Sequence, residues 1–227
     1  MIPKSQYLTD LPDTAVTELI AAIQRERLTV YLNATATDSE ALAFYQFNEL
    51  VSSQLFGLVA AFEVVLRNKV SNAIIQHFNR EDWYRARSFI SLLAAERRAN
   101  LREVRKRLKT QGQEERSGRI VASLTFHFWG ALHQGKYRDT LWTPFLRTIW
   151  PDGINVKKLH RDLIKIRDLR NRLAHHEPVF ACKWRKRIPA LWQRLEALSP
   201  PKHAWLKDRI GSEMNANLAI LDSIDLL

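Results

Sequence analysis

The chain has 227 residues, 46% of them hydrophobic, which is enough to bury a substantial core in one large domain or two small ones. Only 7 glycines and 8 prolines leave few turns and favour long helices over many short strands. Cys182 is the single cysteine, which excludes an intrachain disulfide and makes a reducing compartment the natural setting. Residues 1–10 lack the apolar core of a signal peptide, and the longest apolar run, residues 55–62, is far shorter than the roughly 20 residues that cross a bilayer. We therefore expect a soluble cytoplasmic protein without a membrane partner.

Apolar periodicity predicts helices nearly throughout the chain. The predicted helices are residues 12–26, 38–78, 88–110, 119–134, 138–149, 155–176, 184–197 and 201–225. RLTVYL, residues 27–32, also fits a strand, but an isolated strand has nothing to pair with. In the basic helix 88–110, the residues expected to face inward are Ile90, Leu93, Leu101, Val104 and Leu108. Nothing resembles a linker between folded parts, so we predict a single all-α domain over residues 1–227.

The net charge of +11 is concentrated in two segments. Residues 80–119 hold 12 basic and 6 acidic side chains, and residues 155–187 hold 11 basic and 3 acidic. The remainder of the chain is net negative. This segregation favours a polyanion partner, because each phosphate that Lys or Arg neutralises releases counterions. A solvated helix face remains the equally open alternative, and a basic membrane-surface helix fits less well because residues 101–111 have few bulky apolar anchors.

DLRNRLAHHEP, residues 168–178, is the most distinctive stretch of the chain, and it ends the predicted helix 155–176. Apolar residues recur at spacings of three and four along this helix and mark one buried stripe: Leu159, Leu163, Ile166, Leu169 and Leu173. Pro178 disfavours helical geometry at the residue before it, which predicts a helix end around residues 175–176.

Helix geometry separates the polar side chains of this stretch. At about 100° per residue, Asn171 and His175 lie on the outer face, whereas Arg170 falls inside the apolar stripe. A guanidinium in that position must be paired or must open into a cleft. Arg170 and His175 point about 140° apart on a regular helix. They share a site only if the helix end unwinds or the long arginine side chain curls round.

RNRLAH, Arg170 to His175, matches the Arg-x4-His signature of HEPN ribonucleases, including the common Arg-Asn start. With the His-Glu-Pro that follows, FEVVLRN at residues 62–68, and LTFHFW ahead of YRDTLW, the chain resembles the Abi-like branch of abortive-infection proteins. The resemblance covers roughly residues 40–180. An ordered set of blocks is more specific than the bare Arg-x4-His. The chain departs from the family at His127, which stands where a small residue usually separates the two aromatics.

The resemblance implies an all-α fold, a HEPN-like bundle with additional helices. It also implies that the protein cleaves RNA without a metal, either as a toxin or in abortive infection during phage defence. Attack by the 2′-hydroxyl leaves 2′,3′-cyclic phosphate ends. Cleavage needs proton transfer, which suits His175, and positive charge on the phosphorane, which suits Arg170. Asn171 would position groups by hydrogen bonding. His176 and Glu63 are the candidates for residues that support these three.

The resemblance also implies partners. HEPN nucleases generally pair two motifs across a dimer, and VLRNKVSN at residues 65–72 lacks the histidine of a second half-site, so we expect a homodimer. We assign Arg67 and Asn68 a structural role, with Glu63 as an ion-pair partner of Arg67 or of Arg170. An antitoxin or a guide RNA is a further possible partner. The cations that we expect to contact RNA are Arg102, Arg105, Arg107, Lys165, Arg167 and Arg172.

The alternative function is a non-catalytic RNA-binding or protein-interaction module of the same fold. Asn171 and His175 would then only cap or hydrogen-bond a helix end. We expect no metal and no cofactor, because the histidines lack zinc-ligand spacing and no glycine-rich phosphate loop is present. The aromatics of TFHFW, residues 125–129, are expected in the core rather than stacked on bases.

Overall fold

The computed structural model describes residues 11–180 and 184–223. Residues 1–10, on which the signal-peptide expectation depends, and Cys182, on which the reducing-compartment expectation depends, lie outside these ranges. Within those ranges the chain forms eleven α-helices and no β-strand, which confirms the all-α prediction. The helices are α1 (Asp13–Ile23), α2 (Arg25–Leu32), α3 (Asp38–Phe78), α4 (Arg87–Ile90), α5 (Ala95–Thr110), α6 (Ser117–Ser123), α7 (Phe126–Ala131), α8 (Val156–Ala174), α9 (Trp184–Leu198), α10 (Pro200–Leu206) and α11 (Ser212–Ser223).

RLTVYL belongs to a helix, and the strand alternative is wrong. Leu28 and Tyr31 stand three residues apart in α2, so a helix puts both on one face, and both are buried. The predicted helix 12–26 ends earlier than expected. Gln24 adopts a left-handed φ of 76° between α1 and α2, and its N–H donates to the carbonyl of Ile20 (2.9 Å).

Several predicted helices are interrupted. The predicted helix 88–110 is divided into α4 and α5, and Arg98 Nη1 donates to the carbonyl of Leu93 in the intervening turn (2.8 Å). Four of the five residues predicted to face inward are buried, whereas Ile90 is half-buried and Phe89 takes the buried position. Residues 138–149 contain no α-helix. A π-helical turn occupies Arg138–Trp142 and a 3-10 turn occupies Leu146–Ile149, and another 3-10 turn at Gly135–Tyr137 precedes them. The predicted helices 119–134 and 201–225 are likewise divided, the first into α6 and α7 and the second into α10, a π-helical turn at Lys207–Gly211, and α11.

The long helix α3 spans 41 residues, as predicted, and by length and composition alone it is apolar enough to cross a membrane. Nine of its buried apolar residues recur every three or four positions: Phe44, Phe47, Val51, Leu55, Leu58, Phe62, Leu66, Val70 and Ile74. A stripe at this spacing is typical of a helix that packs one face against a protein core. The cytoplasmic location stays a prediction.

The chain divides into two compact units, and the single-domain organisation stays a prediction. The first unit comprises residues 1–58, 171–184 and 206–227, and the second comprises residues 59–170 and 185–205. In the first unit the ring of Phe180 stacks on Phe44 (centroids 4.6 Å apart) and meets Tyr31 edge-on (5.3 Å). In the second unit Trp83 packs against Phe89 and Trp129.

The second unit also contains the aromatics of TFHFW and a buried ion pair. Phe126, Phe128 and Trp129 are all buried, which confirms the prediction that they belong to the core. Arg194 donates through Nε and Nη2 to Asp162 Oδ2 (3.2 and 2.7 Å), and both side chains are buried. Such a pair is stable only when its hydrogen bonds are made, because both charges have lost water.

Candidate functional site

Helix α8 ends in a hydrogen-bonded turn that holds both histidines of the motif. Its last helical residue is Ala174, so the prediction of an end near residue 176 is confirmed. The bonds run from His175 N–H to the Asn171 carbonyl (3.0 Å), from His176 N–H to the Leu173 carbonyl (3.1 Å) and from Glu177 N–H to the Arg172 carbonyl (2.9 Å). The last two form the Schellman arrangement, in which the second residue after the last helical one is left-handed. That residue is His176, with φ 54°, where glycine is more usual.

Contacts from α2 and α3 hold the segment after this turn. Arg27 Nη2 donates to the carbonyl of His176 (3.1 Å). The N–H of Val179 donates to Oδ1 of Asn48 (2.8 Å), and both residues are buried. Phe180 packs between the rings of α2 and α3 described above. The two histidines therefore stand on a backbone that several independent contacts fix in place.

A cavity of about 130 Å³ opens beside the histidines. It is lined by Arg27, Tyr31, Tyr45, His175, His176, Glu177 and Pro178. His175, His176 and Arg27 are exposed, so a ligand can reach all three. The cavity combines imidazole rings, a guanidinium and phenol hydroxyls, which are the groups that proton transfer and phosphate binding require.

A larger cavity of about 520 Å³ shares Tyr45 and His176 with the first. Its other lining residues are Asn48, Glu49, Ser52, Ser53, Phe56, Leu173 and Ala174. This volume lies within the roughly 300–1,000 Å³ of small-molecule sites, so it is large enough for a nucleoside. Phe56 is 43% exposed and presents an aromatic ring at this cavity.

The hydroxyl of Tyr45 stays protonated near neutral pH. Burial raises the pKa of Tyr45 most, and the carboxylate of Glu49 raises this pKa further, while Arg27 opposes the shift. Burial also raises the pKa of Tyr31, with Tyr45 as the next cause. Both phenols can therefore act as hydrogen-bond donors at the cavity.

Arg170 lies in the second unit and is paired, as its position in the apolar stripe requires. Its Nε lies 3.8 Å from Oε2 of Glu63, and its side chain is 39% exposed. Of the two partners predicted for Glu63, the structure pairs it with Arg170. Arg67 is half-buried, and its Nε has no hydrogen-bond partner among the described residues. Asn171 is exposed, consistent with its predicted outer-face position.

Four of the six cations predicted to bind RNA already have a carboxylate partner. The pairs are Arg105–Glu115 (2.9 Å), Lys165–Asp162 (3.1 Å), Arg167–Asp168 (2.7 Å) and Arg172–Glu177 (3.2 Å). Arg107 donates to the carbonyl of Ser123 (3.3 Å), and Arg102 is exposed with no ion-pair partner among the described residues. The local carboxylates thus offset part of the positive charge that the sequence concentrates in these segments.

Arg27, Tyr45 and Glu49 were absent from the site predicted from the sequence. They belong to α2 and α3, far from the motif in the chain, and no spacing rule relates them to His175. Among the side chains that the structure describes, no three His, Cys, Asp or Glu residues are grouped as a metal site requires.

The chain matches no family model, no curated protein and no solved structure. The likeness to Abi-like HEPN proteins therefore rests on the sequence blocks alone, and the function is inferred from the site.

Proposed function

We propose that the chain is a metal-independent endoribonuclease of HEPN type, and that His175 transfers protons in the reaction. The observation that carries this proposal is that His175 lines one cavity with the guanidinium of Arg27 and the hydroxyl of Tyr45. Attack of the RNA 2′-oxygen on the adjacent phosphorus needs a base, an acid for the leaving oxygen and positive charge near the phosphorane. Side chains of all the required types are present at this cavity.

In the proposed reaction, His175 takes the proton from the 2′-hydroxyl as the 2′-oxygen attacks the adjacent phosphorus. The bond to the 5′-oxygen breaks, and that oxygen leaves with a proton from the imidazolium or from the Tyr45 hydroxyl. The products are a 2′,3′-cyclic phosphate and a 5′-hydroxyl. Arg27 would offset the phosphorane charge. The resemblance assigns the same role to Arg170 and a positioning role to Asn171.

The larger cavity supports RNA as the substrate. Stacking of a base on an aromatic side chain contributes roughly 1–3 kcal/mol and tolerates any base. The exposed ring of Phe56 is available for such stacking. Ser52, Ser53 and Glu49 offer polar atoms along the same walls.

Cleavage of a labelled RNA by the purified chain tests the proposal. We expect His175→Ala to lower the rate at least about 100-fold, the lower end of what general acid–base catalysis contributes. His77→Ala is the matched control, because His77 is also an exposed histidine but lies in the second unit. Circular dichroism should show both variants folded. DNA of the same sequence should resist, since it lacks the 2′-hydroxyl.

The proposal fails if His175→Ala cleaves RNA as fast as the unaltered chain, or if DNA is cleaved equally well. RNA binding without cleavage, unchanged by His175→Ala, would instead establish the non-catalytic binding module. For a role as a toxin in abortive infection and phage defence, we expect expression to arrest growth and His175→Ala to abolish the arrest. An antitoxin or a guide RNA would then be sought as a partner that suppresses or directs the activity.

A further inference from the structure

In the second unit, the ring of His127 stands between two guanidinium groups. Its Nε2 lies 3.0 Å from Nη2 of Arg97, and its Nδ1 lies 3.4 Å from Nη1 of Arg167. Arg97 is only 1% exposed and also pairs with Glu96 beside it. Arg97, His127 and Arg167 come from three separate helices, α5, α7 and α8.

This arrangement cannot satisfy every hydrogen-bond donor. A guanidinium only donates, and a neutral imidazole has a single acceptor nitrogen. Burial lowers the pKa of His127, and the charges of Arg97 and then Arg167 lower this pKa further. Glu96, whose Oε1 lies 3.7 Å from Nε2 of His127, opposes the shift without reversing it, so the ring is neutral near pH 7. At most one of the two arginines can then donate to it.

Distance decides which arginine donates to the ring. Arg97 is at the shorter distance, so its Nη2, which also donates to Oε1 of Glu96, donates to Nε2 of His127. The proton of the imidazole is then on Nδ1. This N–H faces Nη1 of Arg167 across 3.4 Å, so two donors point into the same space at the half-exposed edge of the ring. An acceptor oxygen placed between them would satisfy both.

The rest of Arg167 is already occupied. Its Nε and Nη2 both donate to Oδ1 of Asp168 (3.0 and 2.7 Å), which leaves Nη1 for another acceptor. Beside it is a cavity of about 60 Å³, whose polar lining comes from His127, Gln134, His160 and Arg167. Burial lowers the pKa of His160 as well, and Arg167 and His127 add to this shift. The positive charge at the cavity is therefore that of the Arg167 guanidinium, which Asp168 partly offsets from its other side.

We propose that this cavity binds a phosphate group, whose oxygens accept from Nη1 of Arg167 and from Nδ1–H of His127. A tetrahedral anion carries several acceptor oxygens and a charge opposite to that of Arg167, and hydrogen bonds between arginine and phosphate are among the stronger ones. The cavity is far smaller than the roughly 300–1,000 Å³ of sites for drug-sized ligands, so it accepts the phosphate and not a base or sugar. In this site His127 binds the phosphate together with Arg167. Of these two residues, the charge pattern of the sequence indicated only Arg167.

Calorimetric titration with inorganic phosphate tests this site, together with NMR of the His127 ring nitrogens. We expect saturable binding and a rise in the pKa of His127 as the anion offsets the two arginines. Arg167→Gln should weaken binding about tenfold or more, as expected for the loss of a hydrogen bond to a charged group. Arg161→Gln is the matched control, since Arg161 is an exposed arginine of the same helix that does not line the cavity.

Two further ligands identify the source of the phosphate. If the site holds the RNA backbone, dimethyl phosphate should also bind, and Arg167→Gln should weaken the binding of a single-stranded RNA. If it holds a phosphomonoester, inorganic phosphate should bind, and the affinity for RNA should be the same for Arg167→Gln as for the unaltered chain. The site is refuted if neither phosphate nor dimethyl phosphate binds saturably, if the His127 signals do not move, or if Arg161→Gln has the same effect as Arg167→Gln. None of these results depends on His175, so the ribonuclease proposal and this site can fail separately.

Discussion

The left-handed backbone of His176 permits a direct test of the turn that presents His175. We consider two substitutions, His176→Ala and His176→Gly, which both remove the imidazole. The hydrogen bonds at this residue use its N–H and its carbonyl, so both variants can keep them. The two variants differ only in the β-carbon, which makes their comparison a measure of backbone strain at φ 54°.

The expected difference follows from two opposing terms. A left-handed conformation costs an L-residue roughly 1–2 kcal/mol relative to its right-handed counterpart. Glycine avoids this cost but loses roughly 0.5–1 kcal/mol more backbone entropy on folding than alanine. We therefore expect His176→Gly to be more stable than His176→Ala by about 0.5–1 kcal/mol. For a chain of this size, such a change raises the melting temperature by about 1–4 °C.

Urea unfolding of the two variants under identical conditions measures this difference. The reasoning is refuted if His176→Gly is no more stable than His176→Ala, because the residue would then not be strained in the folded chain. RNA cleavage by the same pair adds a functional result. If both variants cleave while His175→Ala does not, His176 serves the site through its backbone rather than through its ring.

Two further predictions concern the buried ion pair and the assembly of the chain. Asp162→Ala leaves the buried Arg194 without its partner and should cost about 3–5 kcal/mol of unfolding free energy. The double variant Asp162→Leu with Arg194→Met removes both charges and should cost less. An equal loss of unfolding free energy in the two variants would contradict this reasoning. Burial raises the pKa of Asp162, but the hydrogen bonds from Arg194 and Lys165 outweigh burial and lower this pKa overall. The stabilisation by the pair should therefore be complete above about pH 4, the pKa of an unfolded Asp, and should fall as the pH drops through the lowered pKa. The single complete Arg-x4-His motif predicts a homodimer, and light scattering that shows a monomer at concentrations where RNA is cleaved would count against it.

Local sequence patterns determined the helices that carry the motif. The apolar stripe of α8 from Leu159 to Leu173 was predicted from spacing alone, and all five of its residues are buried. Pro178 placed the end of that helix to within two residues. Both signals are local, because helical periodicity and the steric effect of proline act over a few residues. The interruptions at residues 91–94 and 138–149 escaped prediction, since propensity gives way where tertiary packing requires a turn.

The composition of the candidate sites was decided only by tertiary packing. Arg27 donates to the carbonyl of His176 across 149 positions of sequence, and no pattern in a single chain relates two such residues. His127 was recognised from the sequence as an unusual residue, but its place between Arg97 and Arg167 depends on how three helices pack. The charge pattern likewise identified the basic segments without revealing which cations had carboxylate partners. The sequence gives the chemical type of each side chain, whereas the packing of the helices determines which side chains it contacts.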